Sequence, residues 1–209
     1  MEKINKLKKL ISYYNLDGYF VSKNDEFFGE YIPDNKDKLK FISNFSGSFG
    51  FALILKQKNY LFIDGRYTLQ AKIQSGKFFH IVTIPNKFPS DVLKKKKLKI
   101  GFNPKLHTQK TLKMFFNKTR CKLISINQDL IGKLQVKKKV NSLKKFYTLP
   151  KEAIGEDYKV KINKLINILN RKGINFQFIS ASENIAWLLN IRGQDSEFTP
   201  MPNAYLTLD

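Results

Sequence analysis

The stretch LFIDGRYTLQA, residues 61–71, joins a strand pattern to a helix pattern at one short turn. Its apolar run ends at Asp64-Gly65, and the residues from Arg66 onward are typical of a helix start. The preceding run FALILK, residues 51–56, is a second strand pattern, so the two runs predict a β-hairpin. Arg66 and Tyr67 thus directly follow a strand end. For Arg66, a structural ion pair with Asp64 and a ligand-binding role are both open at this point.

Around the hairpin, helical and strand patterns alternate along the first two thirds of the chain. Residues 4–14 repeat apolar side chains at helical spacing, and Thr108 is placed to cap a later helix. Such alternation predicts an α/β fold with a mixed sheet flanked by helices. The other predicted strands are YFVS (residues 19–22), FFHIVTI (78–84), KIGF (99–102) and CKLISI (121–126).

The opening pattern of the chain returns near its end. A helical pattern runs from Asp157 to Arg171, and the strand pattern NFQFIS follows it as GYFVS follows the first helix. The segment Asn190-Ile-Arg-Gly193 resembles Asn44-Phe-Ser-Gly47, and Ser180 with Glu183 predicts a capping box for the helix ENIAWLLN. We therefore predict a first domain at residues 1–135, a basic linker at 136–152, and the beginning of a second, related domain at 153–209.

The second copy stops on its second strand pattern, AYLTLD, whereas the first copy continues into a return strand and a helix. An abandoned sheet leaves an unpaired apolar edge, which proteins usually cover. Either a partner or the first domain covers this edge, or the 209 residues are the front part of a longer polypeptide. The second interpretation is favoured, with the second domain truncated at Asp209.

The charge of the chain is strongly positive but is carried by lysine. The formal net charge is +21, and Arg66, Arg120, Arg171 and Arg192 are the only arginines among 38 basic residues. Proteins that read nucleic acid rely on arginine for bidentate and stacked contacts. The lysines are spread over nearly every segment, so the composition argues against a nucleic-acid partner.

Cysteine content and hydrophobic runs predict a cytoplasmic protein without a membrane contact. Cys121 is the only cysteine, which excludes an internal disulfide, and its apolar surroundings predict a buried structural thiol. The N-terminus has no uninterrupted apolar segment of the signal-peptide type. The longest nearly apolar run, Phe49 to Leu55, is too short to cross a bilayer.

No complete active site is visible among the titratable residues. His80 lies in a strand pattern and is expected to be a satisfied structural histidine, whereas His107 follows Pro104 in a loop and is expected to be exposed. The acidic residues of the loop between residues 23 and 38 lack the spacing of a calcium loop and are expected to be solvated. They are Asp25, Glu26, Glu30, Asp34 and Asp37.

Five blocks, taken in order, resemble the cytosolic Xaa-Pro aminopeptidases, also called aminopeptidase P, of the creatinase/prolidase group. The blocks are EFFGEYIP, FISNFSGSFGFALIL, LFIDGRYTLQA, IGFNP and ENIAWLLNIRGQD, and they cover almost the whole chain. The resemblance implies two related N-terminal α/β domains followed by a catalytic domain that holds two divalent metals, usually manganese. That domain hydrolyses the bond before a penultimate proline, and its metal ligands and catalytic histidines would lie beyond Asp209.

The resemblance also assigns a role to the opening stretch. In the family, the arginine of the Asp-Gly-Arg-Tyr block reaches into the peptide-binding cleft, so Arg66 is expected to bind substrate, whereas the role of Tyr67 stays open. The family also implies a homodimer. Departures from its pattern are Asn103 in place of aspartate, a missing tryptophan after the segment 129–133, and a phenylalanine in the NFSGSFG loop where a small residue is usual.

Two other functions compete with this expectation. A stand-alone, non-catalytic relic of the family would bind peptides or a partner subunit, and a genuine stop codon after Asp209 would favour it. A basic nucleic-acid-binding protein would instead show steeply salt-dependent binding to DNA or RNA.

Overall fold

A computed structural model describes residues 1–135, 145–196 and 198–209 of the chain. These residues form two compact units. The first unit contains Met1–Phe28 and the described part of Asp34–Lys138, and the second contains Gly29–Pro33 and the described part of Lys139–Asp209. Across the described residues, no helix has both the length and the apolar content of a membrane-spanning segment.

The first unit is built on six strands: β1 (Gly18–Ser22), β2 (Gly50–Leu55), β3 (Asn59–Asp64), β4 (His80–Ile84), β5 (Lys99–Phe102) and β6 (Lys122–Ser125). They form one mixed sheet in the order β4-β3-β2-β1-β5-β6. β2 is antiparallel to both of its neighbours, and the other three pairings are parallel. Five strands therefore end at one edge of the sheet, which we call the carboxyl end.

Both faces of the central strands are covered, which explains why their sequences are continuous apolar runs rather than alternating ones. In the predicted hairpin of β2 and β3, Phe51 lies opposite Phe62 and Ala52 opposite Leu61. Phe51 and Phe62 belong to the core on one side of the sheet, and Ala52 and Leu61 belong to the core on the other side.

Five helices cover the sheet: α1 (Glu2–Tyr13), α2 (Lys38–Ser43), α3 (Thr68–Ser75), α4 (Pro89–Val92) and α5 (Gln109–Phe116). α1, α2 and α3 pack on one face through side chains such as Leu7 and Leu39, and α5 packs on the other through Phe115. The predicted cap of α5 is confirmed, because Thr108 Oγ1 accepts a hydrogen bond of 3.1 Å from the Thr111 amide. The α/β fold class, a mixed sheet flanked by helices, is confirmed.

The second unit is smaller. It contains two helices, α6 (Tyr158–Arg171) and α7 (Ser182–Leu189), and four short strands, β7 (Tyr147–Thr148), β8 (Gln177–Ile179), β9 (Ile191–Arg192) and β10 (Leu206–Leu208). β8 pairs with β10 and β7 pairs with β9, both antiparallel. Residues 136–144 of the predicted basic linker lie outside the described residues. Its last part, residues 145–152, contains β7.

The first helix of each unit has the same type of C-terminal ending. Two residues after the end of α1 and of α6, the chain has a residue with positive φ: Asn15 at 52° and Gly173 at 65°. In each case the next amide turns back to the helix: Leu16 N–H donates to Ile11 O over 2.9 Å, and Ile174 N–H donates to Leu169 O over 3.0 Å. This six-to-one hydrogen bond is the helix ending of the Schellman motif.

The second helix of each unit, α2 or α7, ends at an asparagine in the left-handed conformation. Asn44 closes α2 with a φ of 64°, and Asn190 closes α7 with a φ of 55°. After these turns, β2 pairs antiparallel with β1, and β10 pairs antiparallel with β8. The shared order of helix, strand, helix, asparagine turn and antiparallel strand agrees with the internal repeat that the sequence indicates.

One predicted cap is wrong. α7 begins at Ser182 after Ala181, and no side chain caps it, so Ser180 and Glu183 do not form a capping box. The S-x-x-E spacing is present, but Ala181 occupies the N-cap position. Ser180 therefore lies one residue too early in the chain to accept hydrogen bonds from the free amides of α7.

Candidate functional site

The candidate site lies at the carboxyl end of the first unit's sheet. β3 ends at Asp64, and Gly65–Tyr67 forms a single 3₁₀ turn before α3. Asp64 starts this turn, because its Oδ1 accepts a hydrogen bond of 2.9 Å from the Arg66 amide. In sheets with parallel strands, ligands usually bind outside the carboxyl ends, and Arg66 stands at this edge.

Arg66 and Asp64 form an ion pair, which is one of the two roles that the sequence left open for Arg66. Arg66 Nη2 lies 2.6 Å from Asp64 Oδ2, and Nε lies 3.2 Å from each carboxylate oxygen. The hydrogen bonds from Arg66 lower the pKa of the Asp64 carboxyl, and the same contact raises the pKa of the guanidinium. The aspartate thereby holds one edge of the arginine fork in a fixed orientation.

The ion pair leaves much of Arg66 accessible. Its side chain is 73% exposed, compared with 23% for Asp64. Among the residues that the structure describes, none accepts a hydrogen bond from Arg66 Nη1. A structural pair with Asp64 and a binding role are thus compatible, since the contact uses Nε and Nη2 and leaves Nη1 available to a ligand.

Tyr67 is fixed by the loop that connects α2 to β2. Its hydroxyl lies 2.7 Å from Ser48 Oγ, and its ring packs edge-on against Phe45 with 5.7 Å between centroids. The Arg66 guanidinium lies 5.4 Å from the centre of the Tyr67 ring, within the range of a cation–π contact. Tyr67 therefore supports the guanidinium from one side and anchors the turn to the loop.

The NFSGSFG loop, residues 44–50, is a tight connection between α2 and β2, and α3 holds it in place. Gln74 Oε1 accepts a hydrogen bond of 3.0 Å from the Ser46 amide, and Gln70 Nε2 donates to Ser46 Oγ over 2.9 Å. Gly47 is required here because a Cβ at this position would collide with the Phe45 ring. Sequence reasoning missed this network, although the i,i+4 spacing of the two glutamines places them on one face of α3.

Both histidines are placed contrary to expectation. His80 is exposed at the start of β4 and lies beside the Tyr60 ring, so it is not a satisfied core histidine. His107 is only 8% exposed and lies beside Phe20 and Phe102, so it is not an exposed loop residue. Burial lowers the pKa of His107 to about 4. Neither ring nitrogen of His107 has a hydrogen-bond partner among the described residues.

Two of the loop acids expected to be solvated are buried instead. Asp37 pairs with Lys23 and accepts a hydrogen bond of 2.8 Å from the Lys40 amide, which caps α2. Asp25 is also buried and accepts a hydrogen bond of 3.0 Å from the Phe27 amide. These carboxylates organise the loop and the start of α2.

Cys121 is half-buried rather than buried, and its Sγ lies 3.4 Å from Lys96 O. Within the described residues, no three His, Cys, Asp or Glu side chains are grouped so that they could hold a metal ion. The resemblance places its two divalent metals in a domain beyond Asp209, so no role for a metal is assigned to these residues.

The fold and this sheet end define an N-terminal domain of the creatinase/prolidase type. A family model described as the creatinase/prolidase N-terminal domain matches residues 3–133, and a second model with the same description matches residues 137–209. The chain therefore belongs to the creatinase/prolidase N-terminal domain family, and the resemblance seen in the sequence is confirmed.

Its homologues are Xaa-Pro aminopeptidases. A probable Xaa-Pro aminopeptidase P of Laccaria bicolor is 30% identical over 224 residues, which cover 100% of this chain and 34% of the relative. Aminopeptidase P1 of Arabidopsis thaliana is 29% identical over 217 residues, which cover 99% of this chain and 34% of the relative. The chain thus spans about a third of the length of these curated relatives.

Solved structures confirm the fold over nearly the whole chain. The X-prolyl aminopeptidase of Caenorhabditis elegans, described as a cytosolic enzyme with a di-nuclear active site, matches with a TM-score of 0.87 and 24% identity. The match covers 99% of this chain and 37% of that protein. The N-terminal domain of the cytoplasmic peptidase PepQ of Mycobacterium tuberculosis has a TM-score of 0.50 at 21% identity, over 64% of this chain and 98% of that domain.

Proposed function

We propose that the chain is the N-terminal part of a metal-dependent Xaa-Pro aminopeptidase, which removes an N-terminal residue that precedes proline. The observation that carries this proposal is the similarity to Xaa-Pro aminopeptidase P relatives over 100% of the chain. The relatives are about three times as long, which leaves room for a catalytic domain with two divalent metals, manganese in our expectation, beyond residue 209. In this arrangement the chain contributes substrate positioning and dimer contacts in the cytoplasm.

Arg66 is the residue proposed to position the peptide. Its guanidinium is held at 2.6 Å by Asp64, beside the Tyr67 ring, while Nη1 faces no acceptor among the described residues. A positive fork in a fixed orientation suits a peptide carboxylate or carbonyl oxygen. Orienting a short peptide in this way lowers the entropic part of the barrier without any chemistry by the arginine itself.

The replacement Arg66→Lys in the complete polypeptide tests this role. Lysine keeps the positive charge but loses the planar fork, so we expect KM for an Xaa-Pro peptide to rise about tenfold, which corresponds to about 1.4 kcal/mol of binding free energy. The melting temperature is expected to stay within about 2 °C, because the side chain is exposed and exposed ion pairs contribute little to stability.

Arg171→Lys is the matched control, since Arg171 is an exposed arginine at the end of α6 and has no part in the proposed site. It should leave both KM and the melting temperature unchanged. A large drop in the melting temperature of Arg66→Lys with unchanged kinetics would show that Arg66 is structural. The proposed homodimer is tested separately by light scattering on the purified polypeptide, where a monomeric mass would contradict it.

A further inference from the structure

One part of the chain is depleted of acidic residues. The stretch from Val92 to Gln128 contains eleven basic residues and no aspartate or glutamate. With 17 acidic residues in 209, a stretch of this length would contain about three of them if they were spread evenly. A general preference for lysine therefore explains the basic residues here but not the missing acids.

The fold gathers most of these cations at one end of the sheet. β5 and β6 are parallel, so the turns that precede them lie side by side, and Lys99 lies opposite Lys122. The two turns are tied together by a hydrogen bond of 2.8 Å from the Lys122 amide to Leu98 O. Eight exposed cations result, which we call the basic end: residues 94–97, Lys99, Lys118, Arg120 and Lys122.

The charges of the basic end are poorly compensated. Among the described residues, Lys94 is its one member in an ion pair, with Asp91 at 3.5 Å. The nearby Asp17 carboxylate is already engaged, because it accepts a hydrogen bond of 2.9 Å from the Lys99 amide and lies 3.1 Å from Lys56 Nζ. Like charges on neighbouring strands repel one another, so the free protein carries a cost that a bound anion would relieve.

This end is remote from the candidate peptide site. β3 begins at the same end as β5 and β6 and ends at Asp64, so Arg66 stands at the opposite end of the sheet. Strands of five or six residues span roughly 17–20 Å. A ligand at the basic end would therefore bind independently of a peptide at Arg66.

The kind of cation and the shape of the surface indicate the partner. Seven of the eight cations are lysines, which act as point charges, and neither turn, residues 93–99 or 117–122, contains an aromatic side chain. Proteins that bind single-stranded nucleic acid combine a basic groove with aromatic platforms. A cluster of lysines on adjacent turns at one end of a sheet, without such platforms, instead suits a flat array of phosphate and carboxylate groups.

We propose that the basic end binds peripherally to an anionic lipid surface, which departs from the expectation, drawn from the sequence, of a protein without a membrane contact. Clusters of four to eight lysines are typical of segments that are drawn to anionic leaflets, each lysine adding about a factor of five to the binding constant. Such a contact needs no membrane-spanning segment, and the cytoplasmic leaflet is the anionic one. The attraction should weaken steeply with salt, since the contact is electrostatic.

The test is sedimentation of the 209-residue protein with vesicles of phosphatidylcholine alone or with about 30% phosphatidylserine. We expect binding to the anionic vesicles at about 0.1 M salt, little binding at about 0.5 M salt, and none to neutral vesicles. The quadruple variant Lys96→Glu, Lys97→Glu, Lys99→Glu and Lys122→Glu should bind at least 100-fold more weakly. Circular dichroism of each variant shows whether it folds.

A control with the same net charge separates a local site from a general attraction. Lys105→Glu, Lys110→Glu, Lys151→Glu and Lys159→Glu change four exposed lysines outside the basic end. Both quadruple variants lower the formal net charge from +21 to +13, and the control should keep binding within about threefold.

Equal losses in both variants would overturn the proposal, as would the absence of wild-type binding to anionic vesicles at about 0.1 M salt. An RNA oligonucleotide is the competitor. If it binds more tightly than the anionic vesicles and displaces them fully, the basic end is a nucleic-acid site instead. If the quadruple variant fails to fold, the single changes Lys97→Gln and Lys122→Gln provide the test. Each should weaken vesicle binding severalfold, and no change in either would contradict the proposal.

Discussion

His107 lies as a neutral ring among aromatic side chains, which makes its titration part of the stability of the first unit. Burial lowers the pKa of His107 to about 4, from an ordinary value of 6.5. The unfolded chain takes up a proton here as the pH falls through 6.5, whereas the folded chain does so only near pH 4. The contribution of His107 to the free energy of unfolding is therefore constant above pH 6.5 and falls by about 3 kcal/mol as the pH drops from 6.5 to 4.

We expect His107→Phe to remove this pH dependence, because phenylalanine fills the same space beside Phe20 and Phe102 without a titrating group. Urea unfolding at intervals from pH 7 to pH 4 gives the free energy of unfolding of the variant and of the wild type. The change of their difference with pH is the contribution of His107. Parallel curves for wild type and His107→Phe would contradict the assignment.

At the scale of single residues, sequence reasoning succeeded where partners are close in the chain. The Asp64–Arg66 ion pair spans two positions, so the turn itself brings the groups together. The burial of His107 depends on Phe20 in a distant strand, and the anchoring of Tyr67 depends on Ser48, 19 positions away. Local patterns contain no information on such neighbours, which explains why both histidines were misplaced.

The asparagine turns that end α2 and α7 provide a matched pair of elements with different side-chain roles. Asn44 is exposed, and its left-handed conformation at φ 64° is all that the turn requires. Asn190 adopts φ 55°, but its side chain also donates to Glu156 O over 3.0 Å and accepts a hydrogen bond from the buried Lys161 amine. One residue type thus fills the same turn for two different reasons.

We expect Asn44→Gly to leave the free energy of unfolding unchanged within about 0.5 kcal/mol, because glycine adopts positive φ without strain. Asn190→Gly keeps the turn but leaves the Lys161 amine with fewer partners, so it should lower the stability of the second unit by roughly 1–3 kcal/mol. Urea titrations followed by circular dichroism, and by the fluorescence of Trp187 for the second unit, measure both. Equal effects of the two changes would show that the Asn190 side chain has no stabilising role.

At the scale of elements, helix and strand periodicity predicted the six strands, the hairpin and the helices α1, α3 and α5 of the first unit, whereas the short helices α2 and α4 were not predicted. Boundaries were predicted less well, because a capping pattern such as Ser180 and Glu183 fits more than one starting point, and α7 begins at Ser182 without a side-chain cap. Neighbours across the sheet, such as β1 beside β5, are not contained in any local pattern.

At the scale of the whole molecule, the proposed division of labour predicts that this chain alone does not catalyse. Under the proposed function, the metal ligands belong to a catalytic domain beyond residue 209. We therefore expect no manganese-dependent cleavage of an Xaa-Pro peptide by the purified 209-residue chain. A full-length Xaa-Pro aminopeptidase P assayed in parallel is the positive control, and measurable turnover by this chain that follows its concentration would contradict the proposal.

The two units differ in how completely they bury their apolar side chains. Of the buried apolar residues in the described chain, only Leu169, Ile185, Ala186 and Leu188 belong to the second unit. That unit also exposes large side chains, among them Phe176, Phe178 and Trp187. Since apolar burial is the main favourable term in folding, the first unit should be stable by itself and the second should not.

We expect a fragment of residues 1–135 to unfold cooperatively on heating, with a melting temperature close to that of the main transition of the full chain. A fragment of residues 145–209 should show no cooperative transition and should bind a hydrophobic dye, because four buried apolar residues cannot offset its conformational entropy. Circular dichroism and dye fluorescence measure both fragments under the same buffer conditions. Cooperative melting of the 145–209 fragment would show that the second unit has a sufficient core of its own, and the interpretation of its apolar surface as incomplete would then be wrong.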